Sequence, residues 1–271
     1  MAPHRVFLPN AVLADEINEV QGHLPDPGSS VRVLGEEAHH AVRVKRLEPG
    51  EPVELLDGAG GVITTRYKGA DRLGKREGWA IDLIVESACR VPRVSPTVEV
   101  RCPAPKGAKL EQLIDQLAQI GAASWGPVAT KRAVSEPRAG KVQRLERIAG
   151  EASKQCGRAW NLEILHGDRF EGLVNPPEQG ATVIADASGV QYECDGDPAS
   201  PIRLLVGPEG GFTRGELARA EDAGARIVRF GPHVMRIETA AVVAASVVLD
   251  RHRAAYEAVH SGKADQEDQI G

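Results

Sequence analysis

Long hydrophobic runs are missing from this 271-residue chain: its most apolar stretch, 240–249, gives way at once to Asp250, Arg251, His252 and Arg253. That falls well short of the roughly 18 apolar residues that span a bilayer. The opening MAPHRVFLPN has no apolar centre of the kind a secretion signal needs, so the chain is read as cytoplasmic, without a membrane partner. Cysteine is scarce. Cys89, Cys102, Cys156 and Cys194 are scattered with no CxxC pair, which argues against a disulfide framework and against a zinc knuckle, and reduced thiols are expected. An excess of positive charge is also lacking: 33 Lys+Arg against 38 Asp+Glu give a net charge of -5.

What is present is ordinary for a globular protein, with 42% hydrophobic and 26% charged residues, so wholesale disorder is excluded and the length suggests two domains. The charge is unevenly spread. Residues 101–170 carry 12 Lys+Arg against 7 Asp+Glu, a local +5, whereas 1–100 and 171–271 sum to -3 and -7. A basic segment in an acidic chain can bind phosphates, because affinity follows the patch rather than the total; a solvated helix face is the alternative.

Residues 1 to about 90 read as a β-rich module. The runs at 31–34, 52–58, 61–69 and 79–87 have strand composition and are separated by turn-forming Gly, Pro and Asp. Within it, HHAVRVKRLEPG (39–50) sets His39 and His40 beside Arg43, Lys45 and Arg46, a possible grip on a phosphate backbone. From about residue 95 strands at 97–102, 125–130, 182–188, 202–207 and 225–231 alternate with helices at 109–120, 140–156, 216–223 and 239–259. Such alternation implies an α/β layer with a largely parallel sheet. The polar tail, 261–271, is expected to be disordered.

Two segments carry chemistry. LLVGPEGGFTRGE (204–216) stops an apolar strand at Gly207, turns through glycines, and opens a helix with a capping box of Thr213 and Glu216. Its glycines let backbone approach a ligand. It is neither GxGxxG nor a phosphate loop with GK[ST], so dinucleotide-fold and ATPase readings lose their main support. FGPHVMRIETAAVVAASVVL (230–249) repeats the layout, with Arg236 and Glu238 ahead of an apolar helix and Thr239 as a possible N-cap. Two Gly-Pro loops at the carboxyl ends of nearby strands make one crevice, where ligands of open α/β sheets bind.

Taken in order, segments 39–61, 106–122, 151–158, 204–217 and 231–241 resemble the SPOUT-class RNA methyltransferases, and within them the uridine-N3 methyltransferases of small-subunit (16S) ribosomal RNA. The chain departs from the family in having Met235-Arg236-Ile237-Glu238-Thr239 where the family has Leu-Arg-Thr-Glu-Thr. The resemblance implies an N-terminal PUA-like RNA-binding β-barrel (1–90) and a C-terminal SPOUT α/β domain (95–260) with a trefoil knot and a mostly parallel sheet. It also implies S-adenosylmethionine as cofactor, a homodimer, small-subunit RNA free or assembled as partner, and no metal.

Carried onto these positions, the family match places the cofactor against Leu205, Gly207, Gly210, Gly211, Gly231, Met235, Arg236 and Thr239. Methylation of uracil N3 needs an unpaired base and loss of the N3 proton. Arg158 and Arg236 are the expected source of positive field and Glu209 the expected proton acceptor; the alternatives are that Glu209 only braces its loop and that Arg236 pairs with Glu238. Arg5, His40, Arg43, Lys45, Arg46, Lys131, Arg132 and Arg158 are the expected RNA contacts, while His39 and His233 have no assigned role. Competing readings are a SPOUT enzyme acting on another nucleotide and a non-catalytic ribosome-assembly factor.

Overall fold

Short runs of alternating apolar and polar residues, broken by Gly and Pro, form a sheet with one buried face, and the described strands among the first 93 residues follow that rule. The computed structural model describes residues 3–8, 12–13, 24–74, 78–133, 137 and 139–267. The chain divides into two compact units, Met1–Arg93 with Gly150–Asn161, and Val94–Ala149 with Leu162–Gly271.

The first unit holds β1 (His4–Phe7), β2 (Val12–Leu13), β3 (Ser30–Leu34), β4 (Pro52–Leu56), β5 (Gly61–Gly74) and β6 (Gly78–Arg90), in the sheet order β1-β4-β5-β6-β3-β2. The β1–β4 pair is parallel and the rest antiparallel. Val6, Val33, Val53, Leu55, Ile63, Ile81 and Leu83 point into one apolar core, and three register shifts along β5 and β6 bend the sheet as bulges do. A short α1 (Gly35–His39) runs on as a π-helical turn (His40–Lys45), closed by Arg46 in the left-handed conformation at φ 55°. It buries Ala38 and Ala41 and leaves Arg43, Lys45 and Arg46 exposed. Strands β1 and β2 were not anticipated by the sequence, their apolar runs being too short to show a period.

The second unit contains β7 (Val98–Cys102), α2 (Ala108–Ile120), β8 (Ser124–Ala129), α3 (Ala139–Cys156), β9 (Glu163–Ile164), β10 (Asp168–Arg169), α4 (Phe170–Leu173), β11 (Ala181–Gln191), β12 (Ile202–Val206), α5 (Arg214–Asp222), β13 (Arg226–Arg229) and α6 (Ile237–Glu267). Its strands are ordered β10-β8-β7-β12-β11-β13, with β9 also on β8, and every ladder is parallel. Central strands β7, β8 and β12 are buried almost end to end, as parallel strands covered on both faces must be. Helix α2 buries Leu110, Leu113, Ile114 and Leu117 and stops at Gly121, whose φ of 95° suits only glycine well. From β13 at the sheet edge the chain returns to α6, which packs on α2, β7 and β12.

Three boundaries differ from the sequence reading. Helix α3 is continuous, yet its residues from Gly150 onward group with the first unit, so a cut at 90–95 does not divide the chain cleanly. Helix α6 starts at Ile237 and runs to Glu267, which makes Thr239 a first-turn residue rather than the N-cap and carries the helix into the tail expected to be disordered. Residues 268–271 lie outside the described residues. Among the described residues no helix is long and apolar enough to cross a membrane.

Candidate active site

The site is built where β11 is interrupted and where β12 and β13 end beside it. Strand β11 breaks its ladder: both Ala185 and Val190 pair with Val228 of β13, so residues 186–189 loop outward between them. Gly189 makes this possible, since a Cβ there would stand 2.4 Å from the Ile227 carbonyl oxygen and 2.5 Å from the Val228 nitrogen. In the loop, one oxygen of Asp186 accepts from the backbone N–H of Ser188 at 2.9 Å and from its hydroxyl at 2.6 Å, an Asx-type turn.

The second loop follows β12. The Gly211 N–H donates to the Pro208 carbonyl at 2.8 Å, closing a turn that Gly211 leaves at φ 66°. A Cβ on Gly207 would press on the Phe212 ring at 3.1 Å, and Phe212 packs on Phe170 with ring centroids 5.1 Å apart. The loop ends at the capping box anticipated from sequence. The Thr213 hydroxyl accepts from the Glu216 N–H at 3.2 Å while Glu216 accepts from the Thr213 N–H at 2.7 Å. Glu216 also accepts the Lys131 N–H at 2.9 Å. Although burial alone would raise its pKa, these bonds hold the carboxyl below its ordinary 4.5.

A depressed native pKa stabilises the fold fully above the unfolded value and loses that contribution as pH falls through the folded one. Glu216→Gln is therefore expected to cost about 1–2 kcal/mol near neutral pH. Urea titrations should show the variant and wild-type curves converging below the ordinary carboxylate value of 4.5; a constant gap down to strong acid would contradict this.

The third loop follows β13, where Phe230 stacks on Tyr192 at 5.1 Å. Tyr192 is hydrogen-bonded to the buried His252 at 2.7 Å. The Arg236 carbonyl accepts from the Ala240 N–H at 2.8 Å and so opens α6. Together the three loops enclose a cavity of about 270 Å³, at the small end for a small-molecule site.

Five of the residues expected to hold a cofactor line this cavity, namely Gly207, Gly210, Gly211, Gly231 and Met235, and Glu209 lines it too. Leu205 does not: its side chain belongs to the apolar core under the sheet. Arg236 and Thr239 lie exposed at the start of α6, outside the lining. Sequence reasoning missed Asp186, Arg229 and His233, which also line it. The signal for the first was a polar Asp-Ala-Ser-Gly at the carboxyl end of an apolar strand, read there as more strand.

Neither structural alternative for the charged pair is what the molecule adopts. Glu209 is exposed and makes no hydrogen bond among the described residues, and Glu238 pairs with Lys109 at 3.0 Å rather than with Arg236. Its bond to the helix-start N–H, then the bond and charge of Lys109, with a smaller attraction from Arg236, hold Glu238 below the ordinary carboxylate range.

The basic residues separate by partner. In the first unit Arg5 is committed to Glu54 at 2.7 Å, Arg43 lies over Trp79 at 5.9 Å, and Lys45 and Arg46 are exposed. The ring of His40 is 5.7 Å from that of His4; burial, with His40, Lys45 and Lys154 nearby, brings His4 down to about 4. Arg158 also belongs to the first unit. Burial, aided by the charge of Arg93, brings its guanidinium down only to about 10, so it stays protonated at neutral pH. In the second unit Lys131 and Arg132 form the tip of a tight turn, and Arg132 donates to the carbonyls of Gly210 and Gly211. Among the described residues no cluster of three or more His, Cys, Asp or Glu could hold a metal ion.

A PUA-like sheet module joined to an all-parallel α/β unit with its cavity at the strand ends is the fold of the SPOUT-class RNA methyltransferases. A solved ribosomal RNA small subunit methyltransferase E from Neisseria gonorrhoeae, bound to S-adenosyl methionine, superposes with a TM-score of 0.73 at 22% identity, over 92% of this chain and 97% of that one. Residues 93–249 match the RNA methyltransferase domain family and residues 33–74 the RNA methyltransferase PUA domain family. Ribosomal RNA small subunit methyltransferase E of Mycobacterium bovis is 31% identical over 242 residues, 83% of this chain and 88% of that protein. The Synechocystis protein of the same name is 28% identical over 80% of this chain and 71% of its own length. The chain belongs to this family of ribosomal RNA small-subunit methyltransferases.

Proposed function

We propose that this protein uses S-adenosylmethionine to methylate a uridine at N3 in small-subunit (16S) ribosomal RNA, in the cytoplasm and as a homodimer. The observation that carries the reading is the cavity formed by the break within β11 and the loops after β12 and β13, in which a glycine-walled backbone stands beside two carboxylates, Asp186 and Glu209. The residues fit the cofactor. Glycines at 207, 210, 211 and 231 leave much of the lining as bare main chain that an adenosyl group can approach, and Asp186 suits a ligand with a positive sulfonium centre.

Bound there, S-adenosylmethionine supplies an electrophilic methyl group and leaves as a neutral thioether. The protein's part is alignment, charge and proton removal. Glu209 accepts the N3 proton; the N3–H bond breaks as the N3–carbon bond forms. Arg236 stabilises the negative charge that spreads over O2, N3 and O4, since a guanidinium donates paired hydrogen bonds and stays protonated. Exposed Arg43, Lys45 and Arg46 hold RNA phosphates, which gives affinity without sequence choice.

Glu209→Gln is expected to lower turnover by about 10²-fold or more while cofactor affinity, read by calorimetry, changes little. Unchanged turnover would eliminate Glu209 as the proton acceptor.

A further inference from the structure

We propose that Arg132, one of the basic residues expected to contact RNA, is instead a positioning residue that shapes the cofactor loop. The proposal rests on reading the β11–β12–β13 cavity as the methyl donor's site. Its starting point is how firmly the base of Arg132 is held. Thr130 and Ala133 exchange backbone hydrogen bonds at 2.8 and 3.3 Å, which places Lys131 and Arg132 at the tip of a two-residue turn. The turn is tied to the far end of the cofactor loop by the Lys131 N–H bond to Glu216 at 2.9 Å. From that anchored turn the Arg132 guanidinium reaches the Gly210 carbonyl, and the Gly211 carbonyl at 3.5 Å. Its alkyl stem lies against Gly210, where a Cβ would be 3.3 Å from the Arg132 Cδ. Among the described residues no carboxylate pairs with Arg132, so its charge is directed at these two carbonyl dipoles.

The consequence follows from the planar trans peptide. A carbonyl turned toward Arg132 sets the next residue's N–H on the opposite side. With the Gly210 carbonyl drawn to Arg132, the Gly211 N–H faces away from it and donates to the Pro208 carbonyl at 2.8 Å, so the arginine and the turn fix the same peptide in the cavity lining. Among the described residues the N–H groups of Glu209, Gly210 and Phe212 have no protein acceptor. A loop with several unspent donors and two glycines has many alternative conformations. Arg132 selects one of them by holding the carbonyls of Gly210 and Gly211, and a Cβ on Gly210 would crowd the arginine's stem at 3.3 Å.

The test uses the full-length protein with Arg132→Ala and Arg132→Lys, since an exposed arginine at a turn tip is removable without unfolding. Arg132→Ala is expected to weaken S-adenosylmethionine binding about 10-fold or more by calorimetry, the worth of a charge-assisted hydrogen bond. Arg132→Lys should recover part of that, because an ammonium can serve one carbonyl. In steady state the KM for the cofactor should rise far more than kcat falls. The salt dependence of binding to small-subunit RNA should keep its slope, whereas loss of a phosphate contact lowers that slope by about one unit. Wild-type cofactor affinity in Arg132→Ala, with or without a reduced salt slope, overturns the proposal. Backbone hydrogen exchange at 209–213 without any ligand separates the two levels of the argument. It should accelerate in Arg132→Ala even if S-adenosylmethionine fails to bind the wild type, an outcome that would sink the cofactor reading alone; unchanged exchange overturns the clamp.

Discussion

Arg236→Ala is expected to reduce methyl transfer by about 10²–10³-fold, the usual effect of removing a donor aimed at developing negative charge, while cofactor binding stays within about 3-fold because its lining is untouched. The backbone of residue 236 is fixed independently of its side chain by the bond from the Ala240 N–H to its carbonyl. The acid nearest in sequence, Glu238, is occupied by Lys109 at 3.0 Å. The guanidinium is thus exposed at the rim of the site with no ion-pair partner among the described residues. Its charge adds only the smallest of the attractions that stabilise the Glu238 carboxylate, so its deletion should cost little stability and much turnover. Arg236→Lys should restore only part of the rate, since a point charge cannot span two oxygens as the planar fork does. Single-turnover rates with saturating cofactor check this. Turnover within 3-fold of wild type in Arg236→Ala would remove the residue from the chemistry.

Gly189→Ala is expected to destabilise the protein by about 3 kcal/mol or more, the upper range for forcing a group into a packed site. The added Cβ would meet the Ile227 carbonyl oxygen at 2.4 Å and both the Ile227 carbon and the Val228 nitrogen at 2.5 Å. All three are main-chain atoms of β13, which cannot retreat without giving up its ladder with β11. Because β11 and β13 carry two of the three loops of the cavity, surviving folded protein should also bind S-adenosylmethionine poorly. Gly215→Ala is the control: in α5 its Cβ meets nothing closer than the Lys131 Nζ at 4.0 Å, so a neutral or slightly favourable change is expected. Thermal unfolding of both variants gives the comparison, and a native-like melting temperature for Gly189→Ala would refute the account of the β11 break.

The parts of this molecule written as periodic patterns were legible. Leu110, Leu113, Ile114 and Leu117 at helical spacing before Gly121 gave α2 within a residue of its observed limits, and the Thr213–Glu216 capping box gave the start of α5. Such signals are local and survive whatever the rest of the chain does. What failed to show depended on distant partners. The loop at 186–189 exists because β13 leaves room for a Cβ-less residue at 189, which no window along β11 can reveal. The basic residues are the plainest case. Arg5 and Arg132 are both expected RNA contacts by residue type, and what the sequence does not show is that Arg5 pairs with Glu54, 49 residues away, and that Arg132 reaches Gly210, 78 residues away. Composition reports how much charge a segment carries, and only the fold reports what that charge already holds. Thr239 taught the same lesson at short range: an N-cap side chain was available, but α6 begins earlier, at Ile237.

Purified protein is incubated with methyl-labelled S-adenosylmethionine and small ribosomal subunits lacking the modification, and the recovered 16S RNA is digested to nucleosides and resolved against standards. Label is expected in N3-methyluridine and in no other nucleoside, and its rate of appearance should fall by about 10²-fold or more in Glu209→Gln and Arg236→Ala. Label on a ribose 2′-oxygen or on another base, or no transfer to RNA by protein that binds the cofactor, would contradict the uridine-N3 reading.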